Sequence, residues 1–383
     1  MVHHIRPTGR VHWIGTGMST GSGLAIVCEN ASVTLWGRST DKAEACLARL
    51  GLRGKAEVRA YRTQALASEL AAGDTVVSML PAAEHPGLLE LALRHEAHFV
   101  CSSYTSPLIA EQADEARRRG LVILTEIGLD PGIDHLLAHE LVRKARQVTG
   151  DRPATVDFTS YCGSNPAVPN EFRYQFNWAP RGVLTALLTP ARMIAGSAPV
   201  TVARPWEAVA TQAVGGETFE VYPNRDSIPF LTTYRFPAEW DVRTFVRGTM
   251  RLDGWSAAWK PVFDELDGIT DARIDELAEE LAARCPTTPT DRDRVVMAVR
   301  LRVRTESGSE WCGEYRLDAV GDERESATPR LVSVPLAGGV LAVTHGRVAP
   351  GLQQATDRPD QVREWLAFLD RHAVSVTYHE EVA

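Results

Sequence analysis

The sequence lacks any CxxC pair and any dense cysteine framework: Cys28, Cys46, Cys101, Cys162, Cys285 and Cys312 are scattered over 383 residues. Such spacing argues against a secreted disulfide scaffold and predicts reduced thiols, most of them small core residues. Basic runs are also missing. With 41 Lys and Arg against 49 Asp and Glu, a net charge of −8 and no Lys/Arg-rich face, the chain is ill suited to a phosphate backbone, so no nucleic-acid partner is expected. The opening MVHHIRPTGR carries no apolar signal core, and no segment approaches the ~20 apolar residues of a membrane span. A cytoplasmic protein with no membrane partner is the expectation. Internal repeats, low-complexity tracts and the HExxH pattern are absent. His135 and His139 lie four apart beside Asp134 and Glu140, but a catalytic metal needs a third ligand and an open position, so no metal site is expected.

What is present divides the chain. A length of 383 residues exceeds one ordinary core and suggests two or three units. From Val11 the pattern runs strand, glycines, helix, strand, with further apolar strands at 75–80, 98–101 and 121–127 separated by helical stretches at 86–94 and 108–119. This alternation predicts a doubly wound parallel sheet of the Rossmann type over residues 1–135. Gly15, Gly17 and Gly21 form GxGxxxG directly after the first strand, so the Gly15-Thr16-Gly17-Met18 turn is a candidate cradle for a pyrophosphate at a helix N-terminus. The alternative is a tight turn in an unliganded α/β domain.

The end of the second strand discriminates between dinucleotides. NAD sites commonly place an acid there for the ribose 2′-hydroxyl, but this chain reads Leu35-Trp36-Gly37-Arg38-Ser39-Thr40. Arg38 can pair with a 2′-phosphate and Ser39 or Thr40 can donate to it, so NADP(H) is the expected cofactor. The bland reading is a solvated Arg38 before a helix capped by Thr40.

At the far end of this region, TEIGLDPGIDHLLAHE leaves an apolar strand through glycines and proline and enters a helix. Asp130 therefore stands where a strand gives way to a helix N-terminus, at the carboxyl edge where open α/β folds bind ligands, unless it only caps the helix at Ile133.

The texture then changes. Residues 136–335 are expected to form an α+β domain with a mixed or antiparallel sheet, strands falling at 155–161, 218–221, 243–252, 294–304 and 310–320. In VVMAVRLRVR the apolar Val299, Leu301 and Val303 alternate with Arg300, Arg302 and Arg304, predicting one buried and one solvated face. A small helical insertion is expected near 257–285, with Asp or Thr capping near Thr270. The tail, 336–383, carries Val362, Trp365, Leu366 and Leu369 at helical spacing before a short Val/Tyr strand, and is expected to return to the first domain.

Taken as a set, seven stretches resemble the saccharopine dehydrogenase family, in its NADP-dependent, L-glutamate-forming saccharopine reductase branch. They are VVSMLPAAEHP at 76–86, SSYTSP at 102–107, EIGLDPGIDH at 126–135, SYCG at 160–163, YQFNWAPRGVL at 174–184, VYPNRDSIPF at 221–230 and TFVRGTMRLDGW at 244–255. The resemblance implies hydride transfer between NADP(H) and an imine or secondary amine made from an amino acid and a carbonyl compound, in a homodimer whose second domain binds substrate. It implies substrate contacts at Ser103, Tyr104, Asp130, Arg225, Arg247, Gly248 and Thr249. It implies cofactor neighbours at Met79, Leu80, Ser102, Leu129, Asp130, Pro131 and Gly182.

The chemistry asks for such residues. Multi-carboxylate substrates suit guanidinium forks such as Arg225 and Arg247, which otherwise would pair with Asp226 or Asp253. Imine chemistry needs a proton shuttle, for which Asp130, Tyr104 and Cys162 are the titratable candidates, Asp130 first. The chain departs from the family at 164–170 and in having Gln175 where a basic residue is common. That leaves open a different amine and aldehyde pair, as in polyamine or secondary metabolism, or a silent NADP(H)-binding regulator.

Overall fold

Short Val-, Ile- and Leu-rich runs, each followed by a helical stretch, give the first unit a sheet in which every pairing is parallel. The computed structural model describes residues 4–150, 152–285, 288 and 291–382. Packing divides the chain into one unit of Met1–Leu136 with Pro329–Val374 and a second of Leu137–Thr328 with Ser375–Ala383.

In the first unit β1 (Arg10–Ile14), β2 (Ser32–Gly37), β3 (Glu57–Ala60), β4 (Thr75–Ser78), β5 (His98–Cys101) and β6 (Val122–Leu124) join a seventh strand, Gly351–Gln353. Their spatial order is Gly351–Gln353, β6, β5, β4, β1, β2, β3, so β1 lies where the winding reverses. Trp13 of β1 faces Leu35 on one side and Val77 on the other, and all three are fully buried. This sheet is the doubly wound one expected from the sequence. Neither β3 nor Gly351–Gln353 has a long apolar run, and both escaped the sequence reading.

The second unit is built on β7 (Ala154–Pro166), β8 (Ala191–Ala195), β9 (Ala198–Val202), β10 (Ala210–Val214), β11 (Glu217–Pro223), β12 (Trp240–Leu252), β13 (Asp293–Thr305) and β14 (Glu310–Val320). Its main path runs β10, β11, β12, β7, β13, β14 and Thr377–Val382, with β8 and β9 attached to β12. Only the β12–β7 pair is parallel among these described strands, with a bulge between Val242 and Thr244. The β13–β14 hairpin forms as expected, with Val299 opposite Tyr315. Its arginine face is paired as well as solvated: Arg302 and Arg304 each meet Glu310 at 3.1 Å.

The helical insertion is two helices, Trp255–Leu266 and Asp271–Arg284. Thr270 caps the second by accepting from the Arg273 amide at 3.4 Å. Trp255, Trp259, Leu277 and Leu281 pack there with Phe172, Tyr174 and Leu184.

Two expectations change. The tail divides: Pro359–Arg371 belongs to the first unit, but Thr377–Val382 pairs antiparallel with β14 in the second sheet. An edge strand presents unpaired backbone groups, and Thr377–Val382 covers those of β14. The helix Ala327–Thr344 is also longer and more apolar than the sequence reading allowed. By length and composition it could cross a membrane, yet 72% of that stretch is buried within the protein.

Two buried imidazoles make this fold sensitive to acid. Desolvation lowers both His85 and His98 to a pKa of about 4, and the ring of His98 accepts the Val122 amide at 3.1 Å. Because the unfolded rings titrate near 6.5, stability is full above that pH and falls as pH drops toward 4, by on the order of 2–3 kcal/mol per residue. Calorimetric melting between pH 7 and 5 should therefore show a declining midpoint, and His98→Asn should flatten the decline; a midpoint independent of pH would contradict buried neutral rings.

Candidate active site

The glycine turn after β1 is shaped by its neighbours. Gly15, at φ +121°, lies so close to the Met79 carbonyl that a Cβ would come within 2.8 Å of it, whereas a Cβ on Gly17 would meet nothing within 4 Å. A tight turn thus abuts the end of β4, beside Met79 and Leu80, and space opens at Gly17, which is what a pyrophosphate requires. Thr16, Gly17 and Met18 line this turn, and Met18 is exposed. The glycine that permits close helix packing is Gly23, whose Cβ would collide with the Ser333 carbonyl at 1.9 Å.

Past β2, Arg38 is exposed. Its helix is capped by Ser39, whose hydroxyl accepts from the Lys42 amide at 3.3 Å, and Thr40 is the first helical residue. The cap is therefore one residue earlier than the bland reading supposed. Arg62, which stands in no recognisable motif, brings a guanidinium to the Arg38 carbonyl at 3.4 Å. Two cations and a hydroxyl gather where an NAD site would carry an acid.

The SSYTSP and EIGLDPGIDH segments meet at the carboxyl end of the parallel sheet. Tyr104 donates to Asp130 Oδ1 at 2.8 Å. At the helix start the Ile133 amide bonds the Gly128 and Leu129 carbonyls, and the Gly132 amide bonds Asp134 Oδ1 at 2.7 Å. Gly132, at φ +145°, presses so closely on Gly128 that a Cβ would sit 2.1 Å from its carbonyl oxygen. A Cβ on Gly128 would in turn lie 2.9 Å from that of Ser102.

Beneath these residues lies Glu126, 3% exposed and left-handed at φ +57°. Such a backbone costs on the order of 1–2 kcal/mol and persists only when surroundings fix it. Here they do. Glu126 Oε1 accepts the Thr105 amide at 2.9 Å and Gln354 Nε2 at 2.8 Å, Oε2 meets His135 Nε2 at 3.1 Å, and the Glu126 amide bonds the Ser103 carbonyl at 3.1 Å. Burial pushes this carboxyl upward, but the bond and charge of His135 and the bonds from Thr105 outweigh it and hold it below the usual range. His135 is held from its other side by Asp134 at 3.4 Å, while His139 packs edge-on to Tyr234. These are anchoring contacts.

In the second unit, Arg247 is 3% exposed and its guanidinium lies 4.0 Å from the Phe230 ring. Its amide bonds Ser227 Oγ at 2.9 Å. Gly248 allows the Tyr222 carbonyl to approach to 2.3 Å of where a Cβ would be, and Thr249 is opposite Cys162 across the β12–β7 pair. Arg225 is exposed, with φ +60°, and Asp226 is paired with Arg192 at 2.7 Å. Gly182 packs against the Trp178 ring, which a Cβ would enter at 2.5 Å. Gln175, standing where the family commonly has a base, is buried. Sequence reasoning passed over Arg251, which shares one face of β12 with Arg247 and Thr249. It is buried among the rings of Tyr174, Tyr222 and Trp255, and no carboxylate lies within 4 Å among the described residues.

Removing His135 should expose how much the loop depends on this network. His135→Ala leaves the buried Glu126 Oε2 without its hydrogen-bond partner and should cost about 1–3 kcal/mol of unfolding free energy. Urea denaturation would check this, and a loss below about 0.5 kcal/mol would mean that the pair carries no such weight.

Comparison with known proteins gives this geometry a family. Residues 11–124 match the saccharopine dehydrogenase NADP binding domain and residues 128–374 the saccharopine dehydrogenase C-terminal domain. The saccharopine dehydrogenase [NADP(+), L-glutamate-forming] of Pyricularia oryzae is 33% identical over 265 residues, covering 67% of this chain and 57% of that protein. The mitochondrial alpha-aminoadipic semialdehyde synthase of Bos taurus is 33% identical over 212 residues, covering 50% of this chain and 21% of that protein. The chain thus spans about half the length, or less, of these relatives. Among solved structures, apo saccharopine dehydrogenase (L-Glu forming) from Saccharomyces cerevisiae superposes with a TM-score of 0.81 at 24% identity, covering 97% of this chain and 99% of that one, which establishes a shared fold. With both its N-terminal and C-terminal portions matched in order, the chain belongs to the saccharopine dehydrogenase family.

Proposed function

We propose that the protein is an NADP(H)-dependent oxidoreductase acting on a C–N bond, reducing the imine formed from an amino acid and an aldehyde or running the reverse oxidation. The observation that carries this reading is the Tyr104–Asp130 hydrogen bond, 2.8 Å long, on a loop fixed at the carboxyl end of a parallel sheet. A phenol and a carboxylate in contact form a unit that can pass a proton to a carbinolamine oxygen or an amine nitrogen. NADPH, when bound, supplies the hydride. Its pyrophosphate would lie over Gly15, Thr16, Gly17 and Met18. Arg38 and Arg62 would hold the 2′-phosphate with Ser39 and Thr40, and Met79, Leu80, Ser102, Leu129 and Pro131 would border the nicotinamide side. Gly182 is a further cofactor neighbour in this reading.

Arg225 and Arg247 would grip substrate carboxylates bidentately, with Ser103, Gly248 and Thr249 as neighbours and Cys162 as an auxiliary titratable group. Buried Arg251, with no carboxylate nearby among the described residues, also favours an anionic ligand. The family resemblance supports a homodimer, and six cysteines present as thiols suit a cytoplasmic setting.

The purified protein should oxidise NADPH when offered a suitable pair from a panel of amino acids and aldehydes that includes aminoadipate semialdehyde. NADPH binding without turnover on any pair would argue for a silent binding protein instead. Asp130→Asn should lower kcat by about 10²–10⁴ while changing NADPH affinity little. Arg38→Ala should weaken NADPH by about tenfold or more and leave NADH unaffected, as fluorescence titration would show.

A further inference from the structure

One chain of hydrogen bonds runs to Ser103 through two buried residues, Ser78 and His85, that have no part in the chemistry above. Ser78, the last residue of β4, contacts His85 Nδ1 through Oγ at 2.8 Å, and His85 Nε2 contacts Ser103 Oγ at 2.9 Å. Ser78 and His85 are each 1% exposed, and Phe99 packs edge-on against the imidazole. Desolvation keeps the ring neutral at ordinary pH, so one nitrogen donates and the other accepts.

Ser78 selects which. Among the described residues its hydroxyl meets His85 Nδ1 and no other side-chain or backbone partner. A proton on Nδ1 would leave the Ser78 O–H buried without an acceptor, which is disfavoured. With Nδ1 accepting, Ser78 donates to it and Nε2–H donates to Ser103 Oγ. The Ser103 oxygen is then occupied by a donor, and its own hydrogen is left to point elsewhere. The backbone beneath is fixed, because the Ser103 carbonyl accepts the Glu126 amide.

We propose that His85 is a positioning residue that, locked in the Nε2–H tautomer by Ser78, turns the Ser103 hydroxyl into an outward donor for a carboxylate oxygen of the substrate. The inference rests on the reading in which Ser103 touches substrate. It assigns the Ser78–His85–Ser103 chain to anion recognition, and distinguishes it from the proton-shuttling pair Tyr104–Asp130.

Amide variants separate this from mere packing. His85→Gln sets an amide N–H near the place of Nε2 and keeps a donor for Ser103, whereas His85→Asn reaches only the place of Nδ1 and His85→Phe keeps only ring bulk. Loss of a hydrogen bond to a charged group predicts that KM for a carboxylate-bearing amine rises about tenfold or more in His85→Asn and His85→Phe. His85→Gln should stay within about threefold of wild type, with NADPH affinity unchanged in all three. Equal KM changes across the three, or changes that merely follow melting temperature, would overturn the proposal. Nitrogen-15 NMR of the wild-type ring gives a reading independent of turnover and of how the variants fold: a proton on Nε2 is expected, and a proton on Nδ1 overturns the proposal. Absence of NADPH-dependent turnover in the wild type would instead sink the functional reading, with the tautomer still deciding the inference.

Discussion

The carboxylate of Glu126 ties together three stretches of chain that are far apart in sequence. It accepts from Thr105 in the SSYTSP segment, from Gln354 beyond the last strand of the first sheet, and meets His135 at the start of the helix that follows the GLDPG turn. A buried carboxylate is costly unless each oxygen is satisfied. Here the satisfaction of that charge obliges the three stretches to converge, which brings Tyr104 to Asp130. The left-handed backbone of Glu126 and the glycine contacts at Gly128 and Gly132 are consequences of the same convergence. A hydrogen-bonded pair held by a second layer of buried bonds keeps its geometry with little reorganisation, which is what the proposed proton transfer requires.

The second unit uses a different device. Its long strands β7, β12 and β13 lie side by side, and alternation along β12 sends Met250 and Leu252 into an apolar cluster while Arg247, Thr249 and Arg251 share the opposite face. Aromatic rings stand beside both guanidinium groups: Phe230 against Arg247, and Tyr174, Tyr222 and Trp255 around Arg251. Cation–π attraction offsets part of the desolvation cost of such charges. The first unit thus holds the Tyr104–Asp130 hydrogen bond on an anchored loop, and the second holds cations on a sheet face.

Much of this was legible in the residues because it rests on local rules. The strand–glycine–helix order, the β13–β14 hairpin and the cap at Thr270 follow from periodicity and from side chains within a few residues of one another. The cap at Ser39 was misread by one position, since Ser39 and Thr40 are equally good caps in sequence and only the extended backbone at Ser39 separates them. The Gly351–Gln353 strand was missed because three residues contain no period, and β3 because its residues are only half buried.

By itself the sequence determined the parallel α/β sheet, the change of architecture beyond it, and the residue types on which the proposed NADP(H) and carboxylate recognition rests, because alternation of apolar runs and motif spacing are properties of neighbouring residues. Tertiary structure alone decided that Tyr104 bonds Asp130, that Glu126 and His135 lock the loop, that Arg62 stands beside Arg38, that His85 links Ser78 to Ser103, and that the last strand completes the second sheet. Each of these joins positions whose proximity is set by packing over long sequence distances, and no local pattern records which buried polar group will satisfy which other.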